Sequence, residues 1–206
     1  MSTTYLLAYI DDIFVTVTNS TEIKSLIQQL HAIFTLKDLG EMSFFQGVKA
    51  IKSLLNSLFL KQSKYLKELL WRANMTNAKL VSTPMLSSPK LTTSTGSPFE
   101  NPSLYRSVVS GLQYATITRP EIAYSVSKVS QYMHALTDLH WKSVKRILCH
   151  LVGTIDLGLQ IHKSDNLRIM AFCDSNWATD TDDGKSVSGY CVFLGTNLIT
   201  WSSGKQ

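Results

Sequence analysis

The sequence predicts an α+β protein, with strand hairpins and helices toward its N-terminal end, three consecutive helices in the middle and an antiparallel sheet toward its C-terminal end. Three observations predict this. Short β-branched, aromatic and aliphatic runs flank Asp11-Asp12, helical apolar stripes occupy 104–152, and from Leu157 the apolar period becomes strand-like. A chain of 206 residues that is 44% hydrophobic can bury a core, so general disorder is excluded.

Tyr5 to Tyr9 and Ile13 to Val17 form the pattern of a buried hairpin with carboxylates at its bend. Asn19 and Glu22 then make a cap-like pair that opens a helix with the stripe Ile23, Leu26, Ile27, Leu30 and Phe34, stopped by Gly40. A second hairpin is expected from Phe44–Lys52 and Leu58–Lys61, turning at Asn56-Ser57. After Ser63 another helix carries Leu66, Leu69, Leu70 and Ala73 on one side.

The stretch 82–103 holds prolines 84, 89, 98 and 102 among many Ser and Thr, and predicts an extended connector and a domain boundary. Three helices follow. They are Leu104–Ile117; Arg119–His134, with a capping box Thr118-x-x-Glu121 and the stripe Ile122, Val126, Val129, Met133; and Asp138–Val152, with the stripe Trp141, Val144, Leu148, Leu151 and a stop at Gly153. Four strands are expected at Leu157–Ile161, Leu167–Cys173, Val187–Leu194 and Leu198–Trp201, the last two joined at Gly195-Thr196-Asn197.

Twenty Lys and Arg against 15 Asp and Glu leave a charge of +5, a modest pointer to a polyanionic partner such as nucleic acid. Cys149, Cys173 and Cys191 are odd in number and include no C-x-x-C pair, which argues against a disulfide framework and a thiolate zinc site and fits an intracellular location. The run Tyr5–Val17 is too short and too charged to span a bilayer. No two of the five histidines form a pair at metal-ligand spacing.

An Asp pair between strands is ordinarily a bend, because the Asp side chain bonds nearby backbone amides. Here the apolar flanks would hold two carboxylates side by side at a buried bend, where they repel unless cations neutralise them. A divalent metal pair is the natural neutraliser, and polymerases use one to stabilise both the attacking oxygen and the leaving pyrophosphate.

Leu6-Leu7-Ala8-Tyr9-Ile10-Asp11-Asp12-Ile13 resembles the catalytic hairpin of copia-type retrotransposon reverse transcriptases. Further blocks follow in the family's order: Lys37-Asp38-Leu39-Gly40, Phe59-Leu60-x-Gln62-Ser63-Lys64-Tyr65, Val81-Ser82-Thr83-Pro84-Met85, Leu104-Tyr105-Arg106-Ser107, Leu112-Gln113-Tyr114 and Thr118-Arg119-Pro120-Glu121-Ile122. Asp174-x-x-Trp177-Ala178 and the block Ser188–Gly195 complete a likeness that runs over essentially the whole chain to the Pol polyprotein of these elements. The chain also resembles uncharacterised reading frames of plant mitochondrial genomes derived from them.

The resemblance implies four segments: 1–81 as part of a reverse transcriptase palm and thumb, 82–103 as linker, 104–154 as a helical connection, and 155–206 as the first strands of a ribonuclease H-like domain. It places Asp11, Asp12 and Asp174 at catalytic metal sites with Mg²⁺ as the ion, Asp11 and Asp12 in the polymerase and Asp174 as the first carboxylate of the ribonuclease. It puts Tyr9, Gln46, Gly47, Lys64 and Lys67 against nucleic acid. Phe44-Phe45-Gln46-Gly47-Val48 is similar to the segment that grips the primer end, although family members commonly have Leu where Gln46 stands.

The partners implied are RNA template, RNA/DNA hybrid and other segments of the polyprotein, with no membrane and no small-molecule cofactor. The location implied is cytoplasmic or nuclear, with mitochondrial as the third option. The polymerase needs a third carboxylate and the ribonuclease a Glu and another Asp, so the expectation is a part of an RNA-directed DNA polymerase that is inactive alone. The alternative is a non-catalytic nucleic-acid-binding protein retained after loss of the enzyme, for which the Lys142, Lys145, Arg146 face speaks.

Overall fold

The computed structural model describes residues 3–10, 12–18, 20–53 and 57–206; Asp11, Asn19 and Asn56, all named above, lie outside them. The chain forms two compact units, Met1–Ser43 and Phe44–Gln206.

In the first unit, β1 (Thr4–Tyr9) and β2 (Asp12–Val17) pair antiparallel from Thr4 opposite Val17 to Tyr9 opposite Asp12. The expected hairpin is therefore present, but the burial expected of it is not: β1 is exposed along its length and β2 is at most half-buried, because no further strand among the described residues pairs with either. Its open end is tied by Thr18 N donating to Thr3 O and Thr3 N donating to Thr18 Oγ1. Helix α1 (Ser20–Ile33) packs along β2. Its half-buried residues include Ile23, Leu26, Ile27 and Leu30, the i, i+3, i+4, i+7 stripe that makes a helix one-sided. Phe34 lies past its end and is exposed.

The second unit is organised around four helices: α2 (Ser63–Arg72), α3 (Pro102–Ala115), α4 (Ala123–Ser130) and α5 (Asp138–Gly153). Leu66, Leu69, Tyr105, Val108, Leu112, Val126, Val129, Val144, Ile147, Leu148 and Leu151 bury their side chains in one core. Asn101 caps α3 by accepting the Leu104 amide at 3.0 Å, and Pro102 occupies the first turn, where no intrahelical donor is needed. The connector 82–103 has no helix or strand of its own before Pro102, where α3 takes in its last two residues, and Met85, Leu91 and Phe99 pack against this core.

Two local expectations are corrected. The single strand Phe44–Lys52 is broken into β3 (Phe44–Phe45) and β4 (Val48–Lys52) by a turn at Gln46–Gly47, where both residues have positive φ, 47° and 76°. Thr118 does not form a capping box with Glu121. Its hydroxyl donates instead to Gln62 Oε1 at 2.7 Å, and a single 3-10 turn, Pro120–Ile122, precedes α4. The capping box in this region belongs to Thr137 and His140 at the start of α5.

Strand β5 (Leu58–Lys61) pairs with β4, as expected, and also with β6 (Leu159–Ile161), which comes back from beyond α5. The sheet order is β3-β4-β5-β6. A separate antiparallel sheet contains β7 (Ile169–Asn176), β8 (Val187–Leu194) and β9 (Asn197–Lys205). The strand expected at Leu157–Ile161 thus joins the first of these sheets rather than the second. The architecture is mixed α+β, and no described helix is long and apolar enough to cross a membrane.

Buried polar groups tie these layers together. Arg119 is 1% exposed, and donates to Glu121 Oε1 at 2.6 Å, to the Thr154 carbonyl at 3.0 Å and to Thr154 Oγ1 at 2.5 Å, joining the start of α4 to the end of α5. Asp180, in the loop between β7 and β8, lies 2.8 Å from Lys128 Nζ and 3.2 Å from Lys205 Nζ. Burial opposes its ionisation, but hydrogen bonds from Lys128, the Asp182 amide and Lys205 outweigh it and hold the carboxyl well below the usual range.

His140 is fully buried and stacked on Tyr132 at 4.0 Å. Nδ1 accepts the Thr137 N–H, and Nε2 faces the Thr92 carbonyl at 3.1 Å, which assigns the neutral tautomer with its proton on Nε2. Burial pushes its pKa down, against the Thr92 carbonyl and the charges of Asp182 and Asp138. The unfolded chain then takes up a proton below about pH 6.5 that the folded chain refuses, so stability is full above that pH and falls with acidification. Thermal melts between pH 7.5 and 5 should show this decline, and His140→Gln should flatten it; parallel profiles would contradict the assignment.

Candidate functional site

The bend of the first hairpin is its most strained described point. Ile10 has φ 52° and is 85% exposed, a left-handed conformation that a β-branched residue adopts only at a cost of about 1–3 kcal/mol. Strain of this kind is kept where surrounding structure imposes it, and here it sits immediately before the Asp pair. Tyr9 and Asp12 are cross-strand partners at the last rung, so their side chains share a face; Tyr9 is exposed and Asp12 half-buried. Asp11 lies outside the described residues.

The outer side of this hairpin is bare. Tyr5, Leu6 and Leu7 are 68%, 50% and 59% exposed on β1, whose second edge carries no strand among the described residues. An apolar strand with a free edge is a surface that proteins ordinarily cover.

In the second unit the turn Gln46–Gly47 projects from β3 and β4, with Gln46 exposed. Its inner side rests on two tyrosines. Tyr114 of α3 donates from its hydroxyl to the Gln46 carbonyl, and the ring of Tyr65 of α2 meets that of Tyr114 edge-on at 5.0 Å. Lys64 and Lys67 are exposed on α2. Lys61, just before it, is 3.3 Å from Asp156, and that lysine holds the Asp156 carboxyl below its ordinary range.

Asp174 lies on β7 opposite Gly189, exposed to solvent. Among the described residues no three His, Cys, Asp or Glu side chains gather closely enough to hold a metal ion, so the described carboxylates do not form a complete metal site. Of the basic face on α5, Lys142 pairs with Asp138 at 3.1 Å and Arg146 donates to Thr83 Oγ1 at 2.8 Å. Two of its three charges are therefore engaged within the chain.

Residues 3–87 match the family model for reverse transcriptase (RNA-dependent DNA polymerase). The chain is 43% identical over 202 residues to a retrovirus-related Pol polyprotein from transposon RE2 of Arabidopsis thaliana, covering 98% of this chain and 14% of that protein. An uncharacterised mitochondrial protein of the same plant is 44% identical over 202 residues, 98% of this chain and 83% of its own length.

This chain belongs to the copia-type retrotransposon Pol family. Its reverse transcriptase-like segment includes the strained hairpin, the Gln46–Gly47 turn and α2. The Pol polyprotein from transposon TNT 1-94 of Nicotiana tabacum is 35% identical over 98% of the chain and 16% of its own length. The chain thus spans about one seventh of the Pol polyproteins it matches. No solved structure matches it.

Tyr65, Tyr114, Arg119 and Asp180 acquired no role from the sequence. The first three stand inside family blocks, but what they touch is set by chain segments distant in sequence, which no local pattern discloses.

Proposed function

We propose that this chain forms one part of an RNA-directed DNA polymerase, supplying two carboxylates, Asp11 and Asp12, to the nucleotidyl-transfer site. The observation that carries this is the hairpin whose last rung, Tyr9 opposite Asp12, is closed through Ile10 in a left-handed conformation. Such a bend fixes an acidic side chain on a rigid strand end, where a catalytic group must be held. A bound pair of Mg²⁺ ions would stabilise the negative charge that grows on the attacking and leaving oxygens.

The roles proposed for this chain's own residues come from the family resemblance, and their exposure is compatible with them. Asp12, half-buried beside the bend, holds one ligand position, and Asp11 a second. Tyr9 lies against the nucleic acid, Gln46 and Gly47 contact the primer end, and Lys64 and Lys67 face backbone phosphates from exposed α2 positions. Residues 1–81 are then palm and thumb, 82–103 a connector, 104–154 a connection segment, and 155–206 the first strands of a ribonuclease H-like domain with Asp174 as one of its metal ligands.

The rest of the polymerase site comes from other Pol segments. The exposed apolar strand β1 and the coverage of one seventh of the Pol relatives support this reading.

Primer extension on an RNA template with Mg²⁺ tests it. The full chain alone should give no sustained synthesis, and adding the upstream Pol segment of the transposon RE2 relative should restore it. Asp12→Asn in the restored mixture should cut the rate by at least 100-fold, on the scale of losing one group aimed at developing charge. Synthesis that survives this change would refute the assignment.

A second reading is a non-catalytic nucleic-acid-binding protein. It is favoured by the net charge of +5, which suits a polyanionic partner. In the same experiment it would appear as salt-sensitive binding of RNA/DNA hybrid without synthesis in either mixture.

A further inference from the structure

The turn Gln46–Gly47 is held from behind by a helix that lies beyond the segment matching the reverse transcriptase model. Residues 3–87 match that model, and α3 begins at Pro102. The Gln46 carbonyl receives the Tyr114 hydroxyl, and that carbonyl belongs to the peptide joining Gln46 to Gly47. A planar trans peptide directs its N–H opposite its C=O. The carbonyl faces α3, so the Gly47 N–H points away from α3.

The backing is shaped closely to the turn. A Cβ on Gly47 would come within 3.6 Å of Tyr114 Cε1 and 3.7 Å of Tyr65 Cβ, and the left-handed φ of Gly47 strains any other residue there. Tyr65 in turn donates from its hydroxyl to the Gly111 carbonyl of α3 at 3.0 Å, which fixes α2, α3 and the turn against one another. Burial raises the pKa of Tyr65, so that this hydroxyl keeps its proton. Gln46, a non-glycine residue at φ 47°, has other backbone conformations open to it and needs such a hold to stay in one.

We infer that Tyr114 is a positioning residue for nucleic-acid binding: by holding the Gln46 carbonyl it aims the Gly47 N–H at an oxygen of the terminal primer nucleotide. The inference rests on the reading of this turn as a primer contact. It assigns to the helical segment a direct part in presenting the primer end, and it names the ligand chemistry as phosphate or sugar oxygens of a strand terminus.

The test is binding of the full chain to two DNA/RNA duplexes of equal length, one with a recessed primer 3′ end and one blunt, by fluorescence anisotropy. The intact chain should bind the recessed duplex more tightly. Tyr114→Phe should weaken that binding about five-fold, leave the blunt duplex unaffected and leave the melting temperature within two degrees. As a second measurement, the Gly47 amide resonance should shift on adding the recessed duplex and shift much less in Tyr114→Phe.

If the intact chain does not distinguish the two duplexes, the primer-contact reading falls and takes this inference with it. Should the intact chain distinguish them and Tyr114→Phe do so equally well, only the positioning role is overturned. Equal weakening on both duplexes with a lowered melting temperature also overturns it, by reducing Tyr114 to a packing residue.

Discussion

Arg119→Ala is expected to remove about 3–5 kcal/mol of stability from the Phe44–Gln206 unit, the cost of deleting a large buried side chain while leaving half-buried acceptors without their charged donor. The guanidinium is 1% exposed, and its three partners lie on two elements: Glu121 beside α4, and the carbonyl and hydroxyl of Thr154 at the end of α5. Without it the Thr154 carbonyl loses a charged donor and the space fills poorly. A drop in melting temperature of roughly 10 °C should follow for a unit of this size. Glu121→Gln, at a side chain 40% exposed, should cost no more than about 1 kcal/mol, because solvent already screens that charge. Comparable losses in both variants would show that the ion pair itself, rather than the buried fork, carries the stability.

Gly158→Ala should have the next largest effect. A Cβ there would sit 2.2 Å from the Leu60 carbonyl oxygen and 3.1 Å from Lys61 Cβ, so β6 cannot keep its place beside β5. Leu159 is the register partner of Leu60, and any relief must come from moving the backbone of one strand. Overpacking of this kind costs about 1–3 kcal/mol. Hydrogen exchange localises it: amides of Leu58–Leu60 and Leu159–Ile161 should lose protection while those of α3 and α5 keep theirs. Uniform loss across the unit would mean that the strand pair and the helical core open together.

The first hairpin was legible because its signal is local. Short apolar runs on either side of Asp11-Asp12 fold into β1 and β2 within one residue of the expected limits, although they stay exposed or half-buried where burial was expected. The stripe of α1 and the core positions of α2, α4 and α5 were legible for the same reason, since each repeats within a few residues. The break at Gln46–Gly47 was not, because Phe44, Phe45 and Val48 read as one apolar run, and the Tyr114 hydroxyl that bonds the turn comes from a segment remote in sequence. Thr118 and Glu121 carry the composition of a capping box, but Gln62 takes the Thr118 hydroxyl and Arg119 takes the Glu121 carboxylate. At α5, the box closes through His140, a residue type the pattern does not anticipate at that place. Of the candidate site, the carboxylates and the turn were nameable from family blocks; the scaffold behind the turn was not, because it depends on pairings between remote segments.

The return of β6 to β5 bears on how such a sequence can be cut and recombined. Residues 86–90 are exposed and invite a protease, yet a chain nicked there should stay associated, since β5 and α2 on one side of the cut are married to β6, α3 and α5 on the other. The same holds at the level of DNA. A breakpoint within the connector would leave two open reading frames, each encoding half of a shared interior, and neither product would be expected to accumulate without the other.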